Sequence, residues 1–522
     1  MTPTHATTSA TPSCSGALHK TCMSATVPLT PSSRRPTTVK RMDSISISAR
    51  PSAPWATIVA ERPVTEETTG EVIPLLAHDL RVMAANVLRG NDKGGYTVPS
   101  QATYPHQWNW DSALAALGWA ELDPARAWTE LETLAGARDS QGMIPHIAFH
   151  TRVPDRVNGR LRGLLTTVVR PYARYLPGPR WWGKRFSVDG RRISGITQPP
   201  LAATCMRMLF EAHPDEERAR ALLRPLLGWH RFLLEERDPR GMGEPVLIHP
   251  WESGRDNSVE WDAPLWRVMP EVTVVHRRDT HSVDAAERPS DEHYRRFLSL
   301  VRRGTQAGWA QTRLARAGAF RVLDPGFSGI LARACHDLAW LAERLGEPRI
   351  AEESNKGCER VTAALRARVD SDGLIRALDM TDESTLEVTS AGSALAVMAP
   401  GLEDAQVRAV SRLVTSGALA SHFGVRSLDR DHPDRSPRNY WRGPVWTNIT
   451  WLTAWALEHR GDADTAAMLR RQMLAAVEGG GMREYFVPDS GRGLGARDFA
   501  WTAALTLREL AAAAAARDEA AA

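Results

Sequence analysis

The chain has 522 residues, enough for two average domains or for one large all-helical enzyme domain. Hydrophobic residues at 43% and charged residues at 24% are ordinary for a protein that buries a core. A formal charge of +4 is too small for this length to make nucleic acid the main partner, and no apolar run reaches membrane-spanning length. Residues 1–68 are rich in Ser, Thr and Pro, and their first acidic residue is Asp43. Such a composition cannot bury a core, so this stretch is expected to be disordered or to reflect a misplaced start, with Met23 or Met42 as alternatives. It is basic and Ser-rich like a transit peptide, but it lacks the apolar segment of a secretory signal.

The remainder, 69–515, repeats helix, short loop, helix and is expected to form one domain. Asp123-Pro124 supplies an N-cap followed by Pro at the first helical position, which predicts a helix running to Leu134. Leu201, Cys205, Met208 and Leu209 form an apolar stripe that ends near His213-Pro214. Asp215 then opens a long helix with Leu222, Leu226, Trp229 and Leu233 on one face. The pattern returns over Asn448–Glu458 and Asp464–Val477, the second closed by Gly479-Gly480-Gly481. Alternating strand patterns are scarce. Paired helices over this length predict an all-α (α/α) barrel with chemistry on loops at one end. The Arg/Gly/Pro-rich stretch 152–192 is expected to be a long loop and a lid over that end. The cysteines (Cys14, Cys22, Cys205, Cys335, Cys358) are odd in number, scattered and without metal-ligand spacing, which predicts neither a zinc site nor a disulfide framework.

Five segments combine aromatic and polar residues beyond what packing requires: TYPHQWNWDSA (103–113), SGITQPP (194–200), HPWESGRDNSVEWD (249–262), RNYWRGPVW (438–446) and MREYFVPDSGRGLGARDFAWTAA (482–504). Aromatic faces stack on the C–H face of a pyranose while carboxylates and amides bind its hydroxyls, so the mixture suits a carbohydrate. Cleaving a glycosidic bond takes two carboxyl groups, one protonated and one ionised. Asp111, Glu252, Asp256, Glu260, Asp262, Glu484 and Asp498 are all candidates, and spacing does not rank them. Each could equally cap a helix or pair with an arginine; Asp111, ahead of Ser112 and an apolar helix, fits a cap well.

HPWESGRDNS with YWRGPVW and REYF…FAWTAA downstream resembles clan G of the glycoside hydrolases, which holds trehalases and family 63 α-glucosidases. Within it, YPHQWNWDSA, GMIPHIAFH, SGITQPP, RRDTHSVDAAERP and NYWRGPVW are similar to the bacterial mannosylglycerate and glucosylglycerate hydrolases of family 63. The resemblance runs over roughly residues 80–510. It implies an (α/α)6 barrel and an inverting mechanism, with Asp256 as general acid and Glu484 as general base. A neighbouring carboxylate such as Glu252, or partial burial, would raise the acid's pKa. Tyr104, Trp108, Trp110 and Asp111 would hold the sugar, with Trp251, Gly254 and Trp446 completing its pocket. Gln198, Arg288, Tyr294, Tyr440 and Trp441 would face the leaving group, joined by Tyr175 if the longer loop around it aligns. Arg288 would bind the carboxylate of a glycerate leaving group through a bidentate contact, unless it pairs with Glu287 or Asp291.

Glucosylglycerate is the expected substrate, because a basic set with only five lysines among 65 residues fits the actinobacterial setting in which such hydrolases are common. Mannosylglycerate, differing at C2 of the sugar, is the alternative, followed by a trehalase-like or oligosaccharide α-glucosidase. Terpenoid cyclases share the helical toroid, but neither a DxDD nor a DDxxD motif occurs. A sugar-binding or scaffold protein would explain the aromatics and leave the two loop carboxylates without a role. The expected setting is cytoplasmic, with a small glycoside of acidic aglycone as ligand, no metal or other cofactor, no nucleic acid and no membrane. Self-association into a homo-oligomer is left open.

Overall fold

About half of the helices begin where short polar side chains or prolines offer caps. In the computed structural model, which describes residues 69–150 and 176–521, α1 covers Thr69–Asn91 and α2 covers Asn109–Ala120. Helix α3 (Pro124–Gly136) opens at Asp123, whose carboxylate accepts from the Arg126 amide at 3.1 Å. Helix α4 spans Ala202–Ala212, and α5 (Glu216–Glu235) is capped by Asp215 on the Arg218 amide at 3.1 Å. Each such cap contributes about 1 kcal/mol. The order continues with α6 (Asp262–Trp266), α7 (Asp291–Gln306), α8 (Gln311–Ala317), α9 (Pro325–Arg344) and α10 (Pro348–Arg366). It closes with α11 (Ala391–Leu395), α12 (Asp404–Thr415), α13 (Thr447–His459), α14 (Ala463–Gly480) and α15 (Ala500–Ala521). Helix α14 is capped by Asp462, on Thr465 N at 3.2 Å, and ends at Gly481 with φ 78°. The tail 1–68 and Tyr175 lie outside the described residues.

Two helix classes follow from the burial pattern. Helices α2 and α11 are buried throughout, α4, α9 and α13 along most of their length, and α15 from Ala500 to Leu507. These six touch one another in a closed order, α2–α4–α9–α11–α13–α15 and back to α2. Around them lies an outer layer of helices, each packed on one or two members of the ring. Helix α1 packs on α15 and α2, α3 on α2 and α4, and α5 on α4 and α9. Helix α10 packs on α9, α12 on α11, and α14 on α13 and α15. Helix α5 shows the principle: Leu222, Leu226, Trp229 and Leu233 are buried on one face while its arginines and glutamates lie outward. The architecture is an (α/α)6 barrel.

Four of the inner helices, α2, α4, α13 and α15, begin directly at or after loops singled out for their aromatic and polar residues. Short strands tie those loops together: β1 (Gln107–Trp108), β2 (Ile147–Phe149) and β3 (Arg192–Ile193) form one antiparallel sheet. β4 (Val246–Leu247), β5 (Val322–Leu323), β6 (Leu378–Asp379) and β7 (Ser384–Thr385) form a second. The segment before α15 is a hairpin rather than a loop, with β8 (Arg483–Phe486) paired to β9 (Gly493–Arg497). Only part of the expected lid is described, and that part is anchored. Trp182 is fully buried, its indole within 6.4 Å of Trp251 and 5.5 Å of Trp309, and its carbonyl accepts from the Trp309 indole at 3.2 Å. Residues 151–175 of that stretch lie outside the described residues. Among the described residues, no helix is long and apolar enough to cross a membrane.

Candidate active site

The segments ahead of α2, α4, α13 and α15, with the stretch between α5 and α7, surround a pocket with about 790 Å³ of space, including its open mouth. Asp256 and Glu484 both line it. The segment carrying Asp256 is held by its neighbours. Pro250–Ser253 makes a single 3-10 turn capped by His249, whose ring nitrogen accepts from Trp251 N at 3.0 Å. Gly254 then turns the chain with φ 71°; a Cβ there would stand 2.5 Å from the ring of Trp110. Arg255 points inward and pairs with Glu260 at 2.7 Å and Asp324 at 2.9 Å. Asn257 accepts from Trp441 N at 3.0 Å and reaches Asn439 at 2.8 Å. With both flanking side chains fixed, Asp256 is left to face the pocket.

Glu484 is placed by a different device. The register of the β8–β9 pair shifts between Arg483 and Tyr485, and such irregularities re-aim a side chain out of the ordinary alternation. Its carboxylate is 1% exposed and accepts from Tyr104 Oη at 2.7 Å, from Ala496 N at 2.8 Å and from Arg288 Nη1 at 3.1 and 3.3 Å. Gly495, with φ 67°, makes room: a Cβ there would lie 2.5 Å from Glu484 Oε2.

The electrostatics separate the carboxyl groups. Burial, reinforced by repulsion from Glu484 and Asp279, outweighs the opposing charge of Arg288 and pushes Asp256 up to about 7. Burial, with Glu484 and Asp256 nearby, also holds Asp111 well above the ordinary carboxyl range. Burial raises Tyr104, Tyr294 and Tyr440 as well, so all three are neutral phenols. Burial works against the charge of Arg288, but the carboxylates Glu484 and Asp279 outweigh it and help hold the guanidinium well above its ordinary value. The pocket therefore has two carboxyls raised by burial, Asp256 and Asp111, and a third, Glu484, that accepts hydrogen bonds from Tyr104, Ala496 and Arg288. No group of three or more His, Cys, Asp or Glu among the described residues is arranged to hold a metal ion.

Residues 104–502 match the model of the mannosylglycerate hydrolase MGH1-like glycoside hydrolase domain. The chain belongs to this family. A mannosylglycerate hydrolase of Thermus thermophilus is 37% identical over 81% of the chain and 99% of its own length. A glucosylglycerate hydrolase of Mycolicibacterium hassiacum is 34% identical over 82% of the chain and 97% of its own length. A crystal structure of a family 63 mannosylglycerate hydrolase from Thermus thermophilus, in complex with Tris and D-glycerate, superposes with a TM-score of 0.74. That pair is 37% identical, over 82% of this chain and 99% of the other. The protein is thus a glycoside hydrolase of family 63.

Most residues that the family resemblance singles out converge on the pocket: Tyr104, Trp108, Trp110, Asp111, Gln198, Trp251, Gly254, Arg288, Tyr294, Tyr440 and Trp441 line it with the two carboxyls. Asp111 is not a helix cap; α2 is preceded by Trp108, and Asp111 stands in its first turn. Trp446 is placed behind the wall rather than on it, fully buried and stacked on Trp441 at 3.6 Å with an interplanar angle of 3°. Glu252 has no access to the pocket. It is fully buried, receives Arg237 through both oxygens, and accepts from Thr197 N at 3.2 Å and Ile248 N at 2.7 Å. The carboxylates that raise Asp256 are Glu484 and Asp279 instead. Glu260 and Asp262 are committed to Arg255 and Arg442, and Asp498 is exposed outside the pocket.

Arg288 pairs with neither Glu287 nor Asp291. Its Nε donates to Asp279 Oδ2 at 3.2 Å, its Nη1 to Glu484, and its Nη2 to Tyr104 Oη at 2.6 Å. Asp279 does not stand out in the sequence, nor do Arg277, Arg278, His146 and Trp501, which also line the pocket. Their signal lies in RRDTH, GMIPH and FAW, segments that match the family without an obvious chemical role.

Proposed function

We propose that the chain is an inverting α-glycosidase that cleaves glucosylglycerate to glucose and glycerate, with Asp256 as general acid and Glu484 as general base. The observation that carries this reading is the pairing of a carboxyl raised to about 7 with a second carboxyl that accepts from Tyr104, Arg288 and Ala496, both on one pocket. Asp256 gives its proton to the glycosidic oxygen as the C–O bond breaks. Glu484 takes a proton from the water that attacks the anomeric carbon from the opposite face. Tyr104, Trp108, Trp110 and Asp111 supply stacking surfaces and hydroxyl partners for the sugar. The indole nitrogens of Trp441 and Trp501 and the amide oxygen of Gln198 have no partner among the described residues, which suits contact with hydroxyl groups of a ligand. Gln198, Arg288, Tyr294, Tyr440 and Trp441 face the aglycone. The free thiols Cys205, Cys335 and Cys358 fit a reducing, cytoplasmic setting.

Mannosylglycerate is the second reading, favoured by the 37% identity to the Thermus thermophilus mannosylglycerate hydrolase against 34% to the glucosylglycerate hydrolase. The two substrates differ only in the orientation of one hydroxyl. A panel of glucosylglycerate, mannosylglycerate, trehalose and maltose, followed by NMR of the first-formed sugar, tests both points. Preferred release of β-glucose from glucosylglycerate is expected. A first-formed α-sugar overturns inversion, and a preference for mannosylglycerate replaces the first substrate with the second.

A further inference from the structure

Asp256 and Glu484 belong to segments far apart in the chain, and inversion requires their carboxyls to stand roughly 6.5–9.5 Å apart. One short stretch is bonded to both segments. Ala285–Glu287 makes a single 3-10 turn, capped by Asp284 on Ala286 N at 3.0 Å. On the acid side, Asn439 Nδ2 donates to the carbonyls of Ala286 at 3.1 Å and Arg288 at 3.0 Å. Asn439 Oδ1 accepts from Asn257 Nδ2 at 2.8 Å, and Asn257 directly follows Asp256. On the base side, the Glu287 carboxylate accepts from Gly495 N at 2.9 Å, and the Glu287 carbonyl accepts from Tyr485 Oη. Tyr485 directly follows Glu484, and Gly495 precedes Ala496, whose amide donates to Glu484 at 2.8 Å.

We infer that Glu287 and Asn439 are positioning residues that together set the separation of Asp256 and Glu484, given the acid/base reading above on which this role rests. Neither residue lines the pocket, so neither acts by touching a ligand. Asn439 suits the acid side because one planar amide supplies two donors and an acceptor at once. Both donors go to the turn and the acceptor goes to Asn257, so the turn and the acid segment are held by a single rigid group. Glu287 suits the base side because its buried carboxylate takes a backbone amide of β9 in a charge-assisted bond. Its other oxygen receives Arg438 at 3.3 Å, but Arg438 is half-exposed, and such a pair contributes little. A shift of about 1 Å at either end of this strut would be felt in the chemical step, since misplacement on that scale costs about 100-fold.

The test uses the full chain and measures kcat and KM on glucosylglycerate, mannosylglycerate and the corresponding α-glycosyl fluorides, with melting curves for each variant. Glu287→Gln keeps the reach to Gly495 N and loses the charge facing Arg438. Glu287→Asp keeps the charge and draws the carboxylate back by one methylene. Glu287→Gln is expected to retain most of kcat, whereas Glu287→Asp should lower kcat at least about tenfold with KM little changed. Equal kcat values, the opposite order, or a change confined to KM overturns the role of Glu287. Asn439→Asp keeps the acceptor for Asn257 and loses both donors to the turn. Fluoride leaves with little help from a general acid, so a displaced Asp256 costs less on a glycosyl fluoride than on a glycerate glycoside. Asn439→Asp should therefore lose at least about tenfold more kcat on the glycerate glycosides than on the fluorides, while Glu287→Asp loses equally on both. Equal losses from Asn439→Asp on the two kinds of substrate, or no loss, overturn its role on the acid side. An unaltered protein that cleaves none of the four substrates overturns the acid/base reading and the strut with it.

Discussion

The guanidinium of Arg288 donates to both oxygens of Glu484, at 3.1 and 3.3 Å, while its Nε holds Asp279 at 3.2 Å. Two carboxylates thus share one cation in a place where all three groups are shielded from water. Removing one partner of a buried pair leaves a charge unpaired and costs about 3–5 kcal/mol. Arg288→Ala is therefore expected to lower the melting temperature and, because the orientation of Glu484 is lost, to reduce kcat. Part of the loss should appear on an uncharged aryl glucoside, through Glu484, and the loss on a glycerate glycoside should be larger, through the aglycone. Parallel melting curves and kinetics check this; a loss confined to the acidic substrate would contradict the role of Arg288 in orienting Glu484.

As the proposed general acid, Asp256 should set the alkaline limb of activity. With its carboxyl raised to about 7, the acid is protonated below that pH and loses its proton above it, so kcat/KM should fall above pH 7. The same shift acts on stability with a definite sign. An unfolded Asp ionises near 4, whereas the folded one keeps its proton until about 7. The unfolded state therefore binds fewer protons in this window, and the contribution of this group to stability falls as pH rises from 4 to 7. Asp256→Asn should abolish turnover by at least about 1,000-fold. It should also melt increasingly above the unaltered protein as the pH is raised from 5 to 8. An equal difference at both pH values would contradict the raised pKa.

Trp446 is a support rather than a contact. It stacks on Trp441 at 3.6 Å and on Tyr485 at 4.5 Å, and its indole donates to the Tyr440 carbonyl at 3.2 Å. Tyr440 has φ 44°, an unusual conformation for a tyrosine that surrounding contacts must maintain. Trp446→Ala removes the backing of two pocket residues and should cost about 3–5 kcal/mol. Trp446→Phe keeps most of the stack and loses the hydrogen bond, at about 1 kcal/mol. Urea denaturation gives the ordering, and KM should rise in the same order.

The fold was legible from caps and periodicity because those signals are local: Asp123 and Asp215 cap the helices that the sequence predicts. Closure of the inner ring was not written in any one segment, since it depends on contacts between α15 and α2 at opposite ends of the chain. At the site, the aromatic and glycine-flanked loops marked the right regions. Which pair of carboxyls to expect at the pocket was legible only through family resemblance. Glu252 and Asp256 lie four residues apart with similar surroundings in sequence, yet one is locked to Arg237 and the other faces the pocket. Asp279 was illegible for the same reason: its partners Arg277, Arg288 and Tyr294 are brought to it by the path of the loop and α7. The re-aiming of Glu484 by an irregular strand pair left only Gly495 as a trace, and a glycine in a Gly-rich stretch says little by itself.

Gly254 and Gly495 separate the roles of pocket shape and base placement. Both have positive φ, 71° and 67°, where an alanine is strained by about 1–2 kcal/mol before any contact is considered. Their new methyl groups would strike different targets. At Gly254 the Cβ meets the Trp110 ring at 2.5 Å, so Gly254→Ala should displace a sugar-stacking surface and appear chiefly in KM. At Gly495 it meets Glu484 Oε2 at 2.5 Å and the Tyr485 ring, so Gly495→Ala should displace the proposed base and appear chiefly in kcat. Each loss should reach about 100-fold, the size produced by misplacing a reacting group by about 1 Å. Steady-state kinetics on both variants, with near-UV circular dichroism to follow the tryptophans, decides the matter: identical KM and kcat effects would mean that both glycines serve only the backbone.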